Sequence, residues 1–397
     1  MKNVLFTLLF SLVILTGPLS SQRAYKQPMK PYVDFLKTQK ITAKDYILSL
    51  FKNHDLVILC ERDHRDITQY DLYLSVIRDP YFVKNVGNVF TEVGVSTLNP
   101  EINRFMHNDS LSQNQVEESL LYFYRKADFW PLWDKYNTYY FLKEFYAINH
   151  ELSPEDKNNL FPSDVPFDWN HIKTVDDLKI VWKKLIKNKN VKVRDSIMAR
   201  QIMVTYDSLR AHSRRKKALI IMNYRHAFND VFDPRAYNTG RFLFRKYQGK
   251  IANVLMNNYI VVPTGYVPYS TIQNGKWDAA FELISKSDIG FDFNNTPFGK
   301  DSFDYYPDKQ NLTYQDVFTG MAFYKPLREF NLVIGVPGIM NEEFLPELER
   351  RQHLLNEMEG KKEQMTPEEL IRYYNDKRSF KLPNLNQMEK EINYWIK

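Results

Sequence analysis

The sequence predicts an α/β fold: a mainly parallel sheet flanked by helices, with a helical, aromatic-rich insertion and a helical C-terminal appendage. Three observations carry that prediction. Apolar runs of strand length recur along the 397 residues: "LVILC" at 56–60, "NVFTEVG" at 88–94, "ALIIMN" at 218–223, "KIANVLM" at 250–256 and "NLVIGVP" at 331–337. These runs are near-continuous rather than alternating, the pattern of strands covered on both faces. Helical patterns separate them, and strand–helix–strand alternation argues for parallel pairing.

Taken in order, the chain opens on "MKNVLFTLLFSLVILTGPLSSQ". One basic residue, Lys2, precedes an apolar stretch from Val4 to Leu15 that Gly17 and Pro18 break. This is the three-part layout of a secretory signal peptide and is short for a membrane span. Residues 1–21 are therefore read as a leader. The mature protein is expected to be exported, periplasmic or extracellular, without stable membrane insertion. Residues 31–54 and 67–83 read as amphipathic helices. Residues about 101–190 read as mostly helical and rich in aromatics, with Pro-bearing loops at 153–166, forming a cap over the sheet edge or a second lobe. From Arg194 to Leu209 a further helix carries Met198, Ile202, Thr205 and Leu209 along one stripe. The main domain is read as 31–340 and the charged helical extension as 341–397.

Composition narrows the function classes. With 44% hydrophobic and 26% charged residues the chain is globular, and its formal net charge of +6 is small for its length. Lys and Arg are interleaved with Asp and Glu; "HSRRKK" at 212–217 is the one short basic cluster, read as a solvated helix end. A nucleic-acid partner is not expected. Cys60 is the only cysteine, so an exported chain has no internal disulfide and rests on its core.

In open α/β sheets, ligands bind beyond the carboxyl ends of the strands. At those ends the sequence places Glu61 and His64 after the first strand, Glu92 within the second, and Asn223, Arg225 and His226 after "ALIIM". Leu59 and Glu61 share one face, and Cys60 points the other way. Each residue also has a plain structural reading. Glu61 would be a strand cap, Glu92 an ion-pair partner for an arginine, His64 the start of a helix capped by Asp63 or Asp66, and His226 a core histidine. Several titratable groups at one sheet edge are costly, however, unless they pair or bind something. Arg62 and Asp63 are read as loop, Cys60 as a small buried hydrophobe, and Arg194 with Asp195 as a local ion pair or a site arginine.

These motifs resemble the erythromycin esterase-like family. "LVILCERDH" is similar to that family's first strand ending in Gly-Glu-x-x-His, and "NVFTEVG" to its second strand with a buried glutamate. "RDSIMARQI" at 194–202 resembles its Arg-Asp-x-x-Met-Ala helix start, and "ALIIMNYRHAF" its strand ending in Asn-x-x-His. "TGRFLFRKYQGKIANVLM" at 239–256 is similar to its later helix-to-strand segment. The likeness covers about residues 50–100 and 190–260; Cys60 stands where the family has glycine. The wider superfamily that this implies includes haem-uptake-type and Tiki-type peptidase proteins.

The resemblance and the residues together give an expected hydrolase for an ester or related acyl bond in a small-molecule substrate. His64, held by Glu61 or Glu92, would deprotonate water, and His226 or Arg194 would stabilise the oxyanion or protonate the leaving group. No cofactor is required. One alternative makes Glu61, His64, Glu92 and His226 the ligands of a divalent metal. Another keeps the scaffold as a binding protein whose aromatic insertion holds a flat ligand such as haem. The sequence leaves the oligomeric state open.

Overall fold

The computed structural model describes residues 26–188, 191–231, 238–261, 269–304, 311–362 and 365–397. The expected leader, 1–21, lies outside the described residues. In chain order the strands are β1 Leu56–Glu61, β2 Asn88–Val95, β3 Asn159–Asp164, β4 Lys187–Asn188, β5 Val191–Lys192, β6 Ala218–Asn223 and β7 Ile251–Met256. β8 Tyr259–Val261, β9 Tyr269–Thr271, β10 Asp288–Asp292, β11 Gly320–Tyr324, β12 Leu332–Ile334 and β13 Arg378–Phe380 follow. Seven of them form one sheet in the order β10-β11-β7-β1-β6-β2-β3. All its pairings are parallel except β10 with β11. The fold is α/β.

β1 lies at the centre, every residue of it buried. Its side chains alternate between two cores: Val57 and Leu59 enter one, Leu56, Ile58 and Cys60 the other. That two-sided burial is why the strand reads as one unbroken apolar run. Helices cover both faces. Two of them differ from the reading of the sequence at places with a local cause. Residues 31–54 form two helices, Lys30–Thr38 and Ala43–Leu50, and Thr42 caps the second by accepting from the Asp45 N–H at 3.1 Å. Residues 67–83 split likewise into Thr68–Arg78 and Pro80–Asn85. Pro80 pushes Asp79 into extended backbone, from which its carboxylate caps the Tyr81 N–H at 2.9 Å.

The insertion contains helices Asn99–Met106, Gln113–Lys126, Tyr136–His150 and Val175–Leu185. Residues 159–164, expected to be loop, instead form β3 at the sheet edge, parallel to β2. Pro162 lies inside that strand and donates nothing to a ladder, a position that only an edge accommodates. Most aromatic rings of the insertion, including Phe123, Tyr124, Phe141 and Phe145, are packed into the core.

"NLVIGVP" does not join the main sheet. β12 forms a two-stranded antiparallel sheet with β13 and bridges Asp66 and Lys135, and the sheet positions go to β10 and β11. Both of the latter carry a glycine that lets the helix Ala43–Leu50 lie close. A Cβ at Gly290 or Gly320 would overlap Tyr46, whose hydroxyl donates to Asp292 at 2.8 Å. The basic cluster at 212–217 is not wholly solvated either. Arg215 is buried and donates to the carbonyls of Val83 and Asp156, each at 2.9 Å, and to that of Lys157. At the C-terminus, helix Leu345–Glu359 packs on Val175–Leu185, and Leu385–Ile396 packs on Lys276–Leu283. Among the described residues no helix is long and apolar enough to cross a membrane.

Candidate active site

β1 and β6 run side by side in a register that sets Glu61 opposite Asn223. Beyond β1 the chain turns, and the turn is held by Asp66, which accepts from the Thr68 N–H at 3.0 Å and hydroxyl at 2.8 Å. This returns His64 towards the strand end, where its Nδ1 donates to Glu61 Oε2 at 3.0 Å. The other Glu61 oxygen accepts the Tyr70 hydroxyl and, at 3.4 Å, Asn137 Nδ2. Asn137 comes from the insertion; it also donates to Tyr70 Oη at 2.7 Å and accepts from Trp133 Nε1 at 3.0 Å. The Trp133 ring then stands edge-on to His64, with 5.2 Å between centroids. A closed circuit, Glu61–Tyr70–Asn137–Trp133–His64, thus fixes the imidazole.

Glu92 is the hub of the other half. Its Oε2 accepts the Asn223 N–H at 2.7 Å, and its Oε1 accepts Arg194 Nη2 at 3.1 Å. His226 Nε2 lies 3.2 Å from the same oxygen, and His64 Nε2 4.0 Å from it. Arg194 grips Asp164, at the end of β3, through Nε at 2.8 Å and Nη2 at 2.7 Å. His226 Nδ1 meets Asp195 Oδ1 at 2.5 Å, and that oxygen also accepts the Thr239 N–H at 3.0 Å. Gly94, at φ +116° in an irregularity of the β2–β3 pairing, lets β2 bend just past Glu92; a Cβ there would stand 2.7 Å from Pro162 Cβ.

The electrostatics follow from this geometry. Burial alone would lower the pKa of His226, but the carboxylates of Glu92 and Asp195 outweigh it and push the imidazole up to about 10. Burial would raise the pKa of Glu92; His226 and Arg194 outweigh it and hold the carboxyl well below its usual range. For His64, burial is again opposed and exceeded by Glu61, so the imidazole sits above its ordinary 6.5. Behind the two glutamates lies a narrow cavity of about 30 Å³, walled by apolar side chains such as Leu98, Ile102 and Phe141. Both imidazoles keep 18% of their side-chain surface exposed, so a ligand can reach them.

All five residues singled out in the sequence, Glu61, His64, Glu92, Arg194 and His226, meet here. Arg225 does not take part; it is exposed beside the Tyr224 ring. Cys60 is buried on the opposite face, its thiol pushed up by burial. Arg62, expected as loop, is fully buried, paired with Asp66 at 3.2 Å and stacked over Phe330. Asp63 pairs with Arg65 and accepts from the Tyr259 hydroxyl at 2.6 Å. Sequence reasoning missed Asp164, Tyr70, Asn137 and Trp133; of its two readings of Arg194, the site arginine matches the geometry, since Arg194 bonds Glu92 and Asp164 while Asp195 bonds His226. The adjacency of Asp195 to Arg194 was the one available signal.

A cation site is the remaining question of composition. Glu61, His64 and Glu92 each place a donor atom within 4.8 Å of the others, and His226 lies outside that group. Glu92 Oε1, however, already accepts the Arg194 guanidinium at 3.1 Å. A divalent ion on that oxygen would face this fixed positive charge, so the donor set fits a metal poorly.

No family model matches the sequence, and no curated protein does. Among solved structures, a structural-genomics protein from Bacillus cereus aligns with 75% of this chain and 97% of its own, at 10% identity and a TM-score of 0.46. A succinoglycan biosynthesis protein aligns with 76% of this chain and 98% of its own, at 10% identity and a TM-score of 0.46. A point mutant of the erythromycin esterase EreC, in its open conformation, aligns over 76% and 96%, at 10% identity and a TM-score of 0.42. These are distant structural similarities.

Proposed function

We propose that the protein is a hydrolase that cleaves an ester or related acyl bond with a water activated by His64. One observation carries the reading: the imidazoles of His64 and His226 converge on one oxygen of Glu92, at 4.0 Å and 3.2 Å. With Nδ1 engaged by Glu61, Nε2 is the His64 nitrogen left to accept a proton, and it lies 4.0 Å from Glu92 Oε1. His226 has a carboxylate at each ring nitrogen and is held as the imidazolium.

In this mechanism His64 Nε2 takes a proton from water as the water oxygen attacks the acyl carbon. The developing oxyanion faces the His226 imidazolium and the Arg194 guanidinium, both already oriented. When the tetrahedral intermediate collapses, the bond from the acyl carbon to the leaving oxygen breaks and that oxygen takes the proton that His64 Nε2 removed from water, which regenerates the base. General-base catalysis of this kind contributes on the order of 10²–10⁴ in rate. Acid–base work of this type needs no metal, and the Arg194 guanidinium on Glu92 supports a metal-free site. We also infer export of the protein; the apolar stretch from Val4 to Leu15 after Lys2 supports it.

Hydrolysis of a panel of aryl esters and lactones by wild type and His64→Ala tests the reading. A loss of about 100-fold or more is expected; equal rates would remove His64 from the mechanism. The three-donor cluster Glu61, His64 and Glu92 is the observation that favours a metal-dependent alternative. Elemental analysis and assay after chelation separate the two, with full activity of metal-free protein expected.

A further inference from the structure

We infer that the groove beside His64 is a saccharide subsite, so that the bond cleaved joins an acyl group to a sugar hydroxyl. The acyl chemistry rests on the hydrolase reading above; the groove itself does not. It has a volume of about 530 Å³, between residues 128–135 and the helices Leu345–Glu359 and Pro367–Asn375. That is room for one or two sugar rings. Trp133 lines it, and the same indole stands against His64 at 5.2 Å, so the groove and the candidate base share a wall.

The lining selects the ligand class. Trp130 is 38% exposed, yet it is braced from behind by Trp182 at 5.1 Å and Phe129 at 5.7 Å. A large indole held rigid at the surface is a platform for the C–H face of a ring. The charges nearby cancel within the protein: Lys135 lies 2.6 Å from Asp134, and Lys361 lies 2.6 Å from Glu359. An anionic ligand would therefore find both lysines of the lining already paired. The lining also carries polar side chains, Gln352 and Asn356 on the outer helix and Asp128, which accepts the Trp130 N–H at 3.0 Å and whose pKa burial pushes up to about 7; a wholly apolar ligand would leave this polar edge unmatched. Hydroxyls, which both donate and accept, satisfy all of these. The pieces are held in place, since Arg351 donates to the carbonyls of Arg125 at 2.7 Å and Pro131 at 3.1 Å.

In the reaction, the oxygen of water bonds to the acyl carbon and the bond from that carbon to the sugar oxygen breaks. The sugar leaves as its free hydroxyl with one proton, and the acyl group leaves as the carboxylic acid. Methyl glycosides carry no ester, so their binding to the full wild-type chain can be measured without turnover. Tryptophan fluorescence and saturation-transfer NMR are read against a panel of methyl glycosides and the matching di- and trisaccharides. Saturable binding in the millimolar range is expected, weakened about tenfold by Trp130→Ala and severalfold by Asn356→Ala. Tighter binding of the longer members identifies an oligosaccharide ligand; equal binding identifies a single sugar. In turnover, Trp130→Ala should lower kcat/KM for an acetylated sugar relative to phenyl acetate by about tenfold. Should Trp130→Ala misfold, Asn356→Ala on the outer helix is read for the same ratio. Absence of glycoside binding up to about 50 mM overturns the inference, even if aryl esters are cleaved. Glycoside binding without cleavage of any ester leaves the groove standing and removes the hydrolase reading.

Discussion

Asp195 and His226 are 31 residues apart in sequence and meet at 2.5 Å, carboxylate to imidazole. With Glu92 on its other ring nitrogen, His226 has a pKa near 10 and carries a proton throughout the neutral range. Removing the charge of Asp195 should lower that value. In Asp195→Asn, the fall of kcat/KM at high pH is expected to move down from about 10, because the imidazolium loses one of its two stabilising charges. A pH–rate profile of both proteins checks this. A basic limb that does not move would show that His226 supplies no proton or positive charge to the reaction.

Glu61 acts on the opposite limb. Its charge raises His64 above 6.5, and a base must be neutral to accept a proton, so the acid limb of the wild-type profile should lie above that value. Glu61→Gln keeps the shape and removes the charge. The acid limb should then shift to lower pH while the plateau rate drops about 10- to 100-fold, through loss of orientation. A shift to higher pH would contradict the assignment of His64 as base.

Arg194 sits between Glu92 and Asp164, with most of its side chain buried. Arg194→Ala leaves the buried Asp164 without its cation and Glu92 with His226 alone. Loss of about 3–5 kcal/mol is expected from breaking a buried ion pair on one side, read as a lower midpoint in urea unfolding at neutral pH. A loss below about 1 kcal/mol would mean that the cluster is solvated far more than the geometry implies.

Gly94 tests whether the bend of β2 sets the position of Glu92. At φ +116° and with Pro162 so close, Gly94→Ala should cost about 1 kcal/mol or more. If the bend aims Glu92, kcat should fall further than the stability loss explains. Activity at wild-type level in the folded variant would show that the bend serves the strand pairing alone.

Much of this site is legible in the sequence because each of Glu61, His64, Glu92 and His226 lies within or just beyond an apolar strand, and strand ends gather in an open sheet. Asp164 was hidden because its strand is an edge strand: Asn159, Pro162, Ser163 and Asp164 give no apolar run. β10 and β11 were hidden for a related reason, the glycines that admit Tyr46. Asp195 suggested a local ion pair by proximity, but its neighbour in sequence is an arginine that turns away to Asp164. Asn137 and Trp133 depend on where the insertion docks, which no local pattern encodes, and Tyr70 on the turn that leads from β1 into the helix Thr68–Arg78.

The circuit from Glu61 through Tyr70, Asn137 and Trp133 back to His64 also bears on how such a protein can change over generations. The insertion that walls the cleft is the segment a lineage would vary to reach new compounds. Here that segment also holds the hydrogen bonds that orient Glu61. Exchanging it for a foreign one would therefore alter selectivity and proton affinity at once, so viable descendants should keep an amide at position 137 while the surrounding wall diverges.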